Sequence, residues 1–265
     1  MAMLKKEWSV IVMNYIFGVV VMACLVVGGG ALWFDQQNSG PGYSPVLQSS
    51  IGTIALNASF PAAVDTAPVY RVTGTQDFFE GTPEVMNIHE GVPSLDEAPV
   101  IAEKALTVYG GLPADAVLHD VGLMCLKEVN TTDGAIISER PQCVQVIYTQ
   151  QIDGRPVVGP GAEIMVSLGD GGEVLEVSKA WRNISYARET KIIPVEEAIL
   201  ALNDGNILNR PQSPMEGVEI REIRLGYYAK DISSLQEEYT PVWIFSGIEN
   251  GNMPCNFIVD ARADA

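Results

Sequence analysis

The sequence predicts an α+β protein: a single N-terminal transmembrane helix, then two units in each of which one helix covers an antiparallel sheet. Three observations carry this expectation. Residues 9–34 form one apolar run without an ionisable side chain, and a helix needs roughly 20 such residues to cross a bilayer core. Beyond it, a stretch with helical spacing precedes several alternating segments separated by Gly-bearing turns. That order, one helix and then strands, occurs twice.

The apolar run sets the topology. Lys5 and Lys6 precede it, and no Lys or Arg follows until Arg71. The asymmetry makes residues 1–8 a cytoplasmic stub and places everything after Phe34 outside the cell membrane. Trp8 and Tyr15 near one end, and Trp33 and Phe34 at the other, suit the two interfaces. A cleaved signal peptide would have a shorter apolar region. Gly28 to Ala31 could supply its small residues, but Leu32-Trp33-Phe34 follow awkwardly. Val21-Met22-Ala23-Cys24 resembles a lipoprotein cleavage box, yet a chain beginning at Cys24 would lack a polar tether. An uncleaved anchor that contacts membrane lipid is the expectation.

Residues 35–66 read as a flexible tether, because Gln36 to Gly42 is a cluster of breakers and small polar residues follow up to Asp65. The first unit is expected over residues 67–186, opening on a short strand at Val69 to Val72. Ser94-Leu95-Asp96-Glu97 is a capping box. Leu95, Ala98, Ala102, Leu106 and Tyr109 then recur at helical spacing until Gly110-Gly111 ends the helix. Alternating segments follow at about 117–128, 142–151, 157–168 and 173–181. Asp153-Gly154 and Asp170-Gly171-Gly172 are hairpin signals, since these residues tolerate the positive φ of tight turns. The second unit is expected over residues 187–265. Pro194 suits a helix start, Val195, Ala198, Ile199 and Leu202 form an apolar stripe, and Asn203-Asp204-Gly205 ends it. Strands are expected at about 217–229, 239–247 and 254–261.

Composition excludes whole classes of function. The chain carries 16 basic against 33 acidic residues, a net charge of −17. Such a surface repels nucleic-acid phosphates, and no cluster of Lys or Arg reverses it locally. The two histidines, His89 and His119, lack metal-ligand spacing: Pro93 stands where a zinc-protease helix after His89-Glu90 would need its second His. No nucleophile elbow, phosphate loop or dinucleotide fingerprint occurs. No catalytic residue, cofactor or metal is expected, and the chain reads as a non-enzyme. Outside the anchor, Cys125 and Cys143 fall on two candidate neighbouring strands, where they form either a disulfide or buried free thiols. Asn57, Asn130 and Asn183 each begin an N-glycosylation pattern. Trp181 and Trp243 are the large aromatics to weigh as recognition residues, with sheet-cover positions as the alternative.

The run Tyr148-Thr149-Gln150-Gln151-Ile152-Asp153-Gly154-Arg155-Pro156-Val157-Val158-Gly159 continues through Val166, Gly169 to Gly172, Val174-Leu175 and Val177. It resembles the PepSY and fungalysin/thermolysin-propeptide superfamily. Tyr239 to Trp243, then Phe257 to Ala261, resemble the other end of such domains. One anchor followed by two such units is similar to bacterial membrane-anchored regulators of a cell-wall sensor kinase. The resemblance implies a helix on an antiparallel sheet that binds or restrains a protein partner. No peptidase sequence follows before Ala265, so it implies action in trans or in signalling. The functional expectation is an extracytoplasmic, non-enzymatic binding or regulatory protein acting on an envelope or membrane protein. The alternative is a glycosylated structural component of the envelope.

Overall fold

The computed structural model describes residues 46–49, 52–132, 134–209, 215–251 and 253–264. The apolar run at 9–34 lies outside the described residues, and among those described no helix is long and apolar enough to cross a membrane. The chain forms two compact units that interleave in sequence. Unit one comprises Gln76–Gln150 and Glu163–Trp181; unit two comprises Gln151–Ala162, Arg182–Ala265 and the described residues up to Thr75.

In unit one, β4 (Ala116–Val129), β5 (Ile136–Ile152), β7 (Glu163–Leu168) and β8 (Val174–Lys191) pair antiparallel in that order. Val144, Val146 and Tyr148 of β5 share one face with Ile164, Val166 and Leu168 of β7. Helix α1 (Ala98–Leu106) covers that face with Ala98, Ala102 and Leu106, all fully buried. The capping box forms as its residues dictate. Ser94 Oγ donates to Glu97 Oε2 at 2.7 Å, and the Glu97 N–H donates back to Ser94 Oγ at 3.3 Å. These bonds hold the exposed Glu97 carboxyl below its usual range. Pro99 sits in the first turn, where its missing N–H costs nothing. Gly110, at φ 89°, reverses the chain after a closing 3₁₀ turn at Thr107–Tyr109.

In unit two, β9 (Met215–Tyr228) is the strand around which the others gather. It pairs antiparallel with β11 (Pro241–Glu249), which in turn pairs with β12 (Met253–Asp260). It also pairs parallel with two short strands, β2 (Gly52–Leu56) and β6 (Arg155–Val158). β1 (Val46–Ser49) pairs with β2, and β10 (Glu238–Tyr239) with the start of β3 (Thr66–Gly81). Helix α2 (Val195–Asn203) buries Val195, Ala198, Ile199 and Leu202 against Ile54, Ile220, Trp243, Phe245 and Phe257.

The expected α+β class is corrected to a mostly β fold. Two helices of nine residues each stand against twelve strands among the described residues. The sheet of unit two is mixed, not antiparallel, because β9 recruits β2 and β6 alongside it in parallel. β2 lies inside the stretch read as a tether. Ile54 and Leu56, alternating there, are buried, and two apolar residues two apart suffice for a short strand once a partner edge is present. The segment expected as one strand at 157–168 is two, β6 and β7, parted by Gly159-Pro160-Gly161.

The Asp153-Gly154 connection is a two-residue hairpin. Ile152 pairs with Arg155, and both turn residues have positive φ, 49° and 77°, which is the type I′ geometry. A Cβ at Gly154 would meet no atom, so the cost of replacing it is conformational alone. Gly154→Val should destabilise the protein by roughly 1 kcal/mol or more, read as a lower denaturant midpoint at unchanged slope. Leu106→Ala and Leu202→Ala should each cost about 2–5 kcal/mol, because both side chains are fully buried beneath a helix. Equilibrium unfolding of the two variants checks this.

Candidate functional site

The residues singled out in the sequence do not meet at one place. Trp181 is fully buried among Tyr148, Ile164 and Val177 in the core of unit one. Trp243 is equally enclosed in unit two, where its indole N–H donates to the Ile193 carbonyl at 3.0 Å. As recognition aromatics both are therefore corrected: each occupies an inward position of a strand, and burial takes the ring out of reach of a partner. Cys125, Cys143 and Cys255 are free thiols. Cys125 stands opposite Pro141 and Met124 opposite Cys143, with a bulge between the two pairs; no disulfide joins Cys125 and Cys143. Burial pushes the Cys143 and Cys255 thiols up to about 11 and raises Cys125 as well, which keeps them protonated and unreactive at neutral pH.

Of the three sequon asparagines, Asn57 and Asn183 are exposed and Asn130 is half-buried. Asn57 donates to Glu219 Oε1 at 3.0 Å, and Asn130 Oδ1 accepts from the Thr132 N–H, a local turn contact. His119 is exposed on β4, whereas His89 is buried. Among the described residues no group of three His, Cys, Asp or Glu side chains could hold a metal ion.

What the fold does build is a surface loop fastened from beneath by an arginine. Arg182, on β8, is almost wholly buried. Its Nη1 donates to the carbonyls of Gly161 and Lys230 at 3.3 and 2.8 Å; its Nη2 donates to those of Asp231 and Ser234 at 2.9 and 3.2 Å. A guanidinium suits this role because it offers five N–H groups in a fixed plane and does not deprotonate. Gly161 permits the close approach: a Cβ there would collide with the Lys230 carbonyl and the Arg182 guanidinium.

The segment so held runs from the end of β9 to β10 and is closed by its own polar side chains. Gln236 Oε1 accepts from the Lys230 N–H at 2.9 Å, and its Nε2 donates to the Tyr228 carbonyl at 2.8 Å. Asp231 accepts from the Ser233 N–H and hydroxyl, and those bonds lower its pKa. At the outer end Leu235 is 84% exposed, between the exposed acids Asp231 and Glu237. The arrangement presents an apolar side chain on a loop whose backbone is already fixed, so ordering it on contact costs little entropy.

A second polar anchor in unit two involves the hairpin. The Tyr70 hydroxyl donates to the Asp153 carboxylate. Its ring meets Tyr227 edge-on at 5.5 Å, and the Tyr227 hydroxyl donates to the Pro68 carbonyl at 3.1 Å. Sequence reading missed Arg182, Tyr70 and Leu235. The partners of Arg182 in the loop lie some fifty positions away, so nothing local in the sequence marks it.

Comparison with protein families matches residues 129–262 to the family described as YycI protein. Comparison with curated proteins finds no match. Among solved structures, an uncharacterized protein from Eubacterium rectale is similar at 10% identity and a TM-score of 0.36, over 82% of this chain and 90% of that chain. The family match spans half of the sequence, from the end of β4 to just past β12. It includes the Asp153-Gly154 hairpin, Arg182 and the loop that Arg182 holds. The family is regulatory, without catalytic activity, and is associated with a sensor kinase. This chain belongs to the YycI protein family.

Proposed function

We propose that this chain is a non-enzymatic regulator that contacts a sensor kinase of the cell envelope and changes its activity. The family match over residues 129–262 carries the reading. The charge-free run at 9–34, with Lys5 and Lys6 before it, supports attachment to the membrane in which such a kinase sits, with the two units on the outer side. The net charge of −17 favours a partner surface with basic groups and disfavours nucleic acid. The contact element proposed is the loop at 230–237. Its fixed backbone and its exposed Leu235 are the features of an interface anchor, in which one apolar side chain enters a pocket while charged neighbours form a polar rim.

Two measurements test the reading. Protease added to intact cells should remove the ectodomain and leave a short anchored fragment; complete protection of the chain would rule out the outward topology. Crosslinking in intact membranes should capture the sensor kinase with the wild-type chain. Leu235→Asp should weaken that capture about thirtyfold, the loss of one hot-spot side chain of ~2 kcal/mol, while leaving the unfolding midpoint unchanged. Capture of the kinase at equal strength by both chains would remove the loop from the interface, and no capture by either would remove the kinase.

A further inference from the structure

The chain leaves β3 at Gly81, makes a 3₁₀ turn at Pro83–Met86, and crosses unit one as a strap before α1. Val92 packs against the core of unit one, and hydrogen bonds fasten the rest. The Thr82 N–H donates to the Leu175 carbonyl at 2.9 Å, and Gln142 Nε2 donates to the Val85 carbonyl at 2.9 Å. The His89 N–H donates to the Pro141 carbonyl at 3.0 Å. At its far end the strap grips the turn between β7 and β8. The Gly91 N–H donates to Asp170 Oδ1 at 2.6 Å, and the Gly171 N–H donates to the Gly91 carbonyl at 2.8 Å.

The His89 ring lies in the middle of these contacts with 7% of its surface exposed. Nε2 is 2.9 Å from the Glu84 carbonyl oxygen, and Nδ1 is 3.3 Å from Asp170 Oδ2. Both neighbours are acceptors only. A neutral imidazole has one N–H and one lone pair, so whichever tautomer forms, one nitrogen must turn its lone pair to an oxygen. Only the imidazolium, with two N–H groups, matches both.

We propose that residues 82–92 form a pH-operated strap, fastened to the β7–β8 turn by doubly protonated His89 and loosened when that ring loses its second proton. The charged groups that face the ring from the turn are Asp170 and Glu173. β5 contributes the Pro141 carbonyl and the Gln142 amide, neither of which titrates, and Glu84 acts through its backbone carbonyl. The bond to that carbonyl raises the pKa of His89 most; burial opposes it, and Asp170 and Glu173 reinforce it, for a net rise. The sign follows. A folded-state value above the unfolded 6.5 means that the contribution is complete below 6.5 and is lost as pH rises through the folded value. The strap is therefore tight in mild acid and loose in alkali.

The test uses the full chain in detergent micelles, with histidine ring resonances followed by NMR and amide hydrogen exchange measured across the same pH range. His89 and His119 are the two histidines of the sequence, so assignment is direct. The midpoint of His89 should lie above that of the urea-unfolded chain. Protection of the Gly91 and Gly171 amides, corrected for intrinsic exchange, should fall several-fold across that midpoint. His89→Gln should abolish this fall. Asp170→Asn should do more: its Oδ1 still accepts from Gly91, but its amide N–H donates to the lone pair of neutral His89, so the midpoint drops and the strap becomes tighter in alkali than in acid. A wild-type midpoint at or below the unfolded one overturns the proposal. So does a fall in protection that persists unchanged in His89→Gln. Should that variant not fold, an unchanged midpoint and unchanged protection in Asp170→Asn, whose side chain is 55% exposed, overturns it equally.

Discussion

Every hydrogen-bonding group along β9 needs a partner, and the way its two edges are filled governs unit two. A buried strand with an open edge would strand a row of N–H and C=O groups, each at the cost of a lost hydrogen bond. One edge of β9 is filled by β11 from Pro241 to Ile248. The other is covered in part by two short pieces, β2 beside residues 215–220 and β6 beside Tyr227 and Tyr228. Neither piece could stand alone, since strands of five and four residues bury too little to hold themselves. Both pieces come from distant parts of the sequence, which leaves them free to pair parallel, as strands joined to β9 by a tight hairpin could not.

Filling β9 to its end fixes where the chain must leave it, and so where the loop at 230–237 begins. Ala229 still donates to the Val158 carbonyl, after which β6 offers no further partner and the backbone groups of the loop must be satisfied in another way. Arg182 does this from below and Gln236 from within. Burying a cation is expensive, but hydrogen bonds to four carbonyl oxygens return much of that expense as charge-assisted bonds. The result is a loop with its polar backbone turned inward and Leu235 turned outward. That is the reverse of what an unstructured polar segment would adopt, and it is why the loop, not the buried tryptophans, offers a surface for a partner.

Local features were legible in the sequence and non-local ones were not. The Ser94–Glu97 box, the buried stripe of α2, the inward Leu106 and the Asp153-Gly154 turn each depend on residues within one or two turns of each other, and each stands as read. The class does not, because two helical patterns are as plain in the sequence as the strands although each supplies only nine residues. The parallel strand β2 was invisible for another reason: Ile54 and Leu56 are too short a pattern to outweigh the polar residues around them until β9 is known to lie beside them. Trp181 and Trp243 show the limit of residue type as a guide. An aromatic in an alternating strand has the same sequence context whether its face is covered or bare, and only the placement of α1 and α2 decides. Arg182 is the extreme case, since its acceptors are backbone carbonyls, which carry no signature in the sequence.

Two of the polar anchors described, Arg182 and His89, differ in one chemical respect, and that difference assigns them different roles. Arg182 and His89 each hold an irregular segment by donating to oxygen acceptors from a buried ring or plane. The guanidinium meets four loop and turn carbonyls with a fixed fork of N–H donors, so the loop carrying Leu235 is held in one shape. The imidazole is the one side chain whose ordinary titration falls in the physiological range, and its two acceptors make the outcome depend on the second proton. A regulator has use for both. Partner recognition requires a surface that does not vary, whereas response to the surroundings requires an element whose bonding changes while its neighbours stay folded. In unit two the loop carbonyls meet a guanidinium, and in unit one the strap meets the β7–β8 turn through His89 beside the Gly91 and Gly171 amides. The same acceptor chemistry thus yields a fixed loop in one unit and a pH-dependent strap in the other, and the choice between them rests on a single residue type at each anchor.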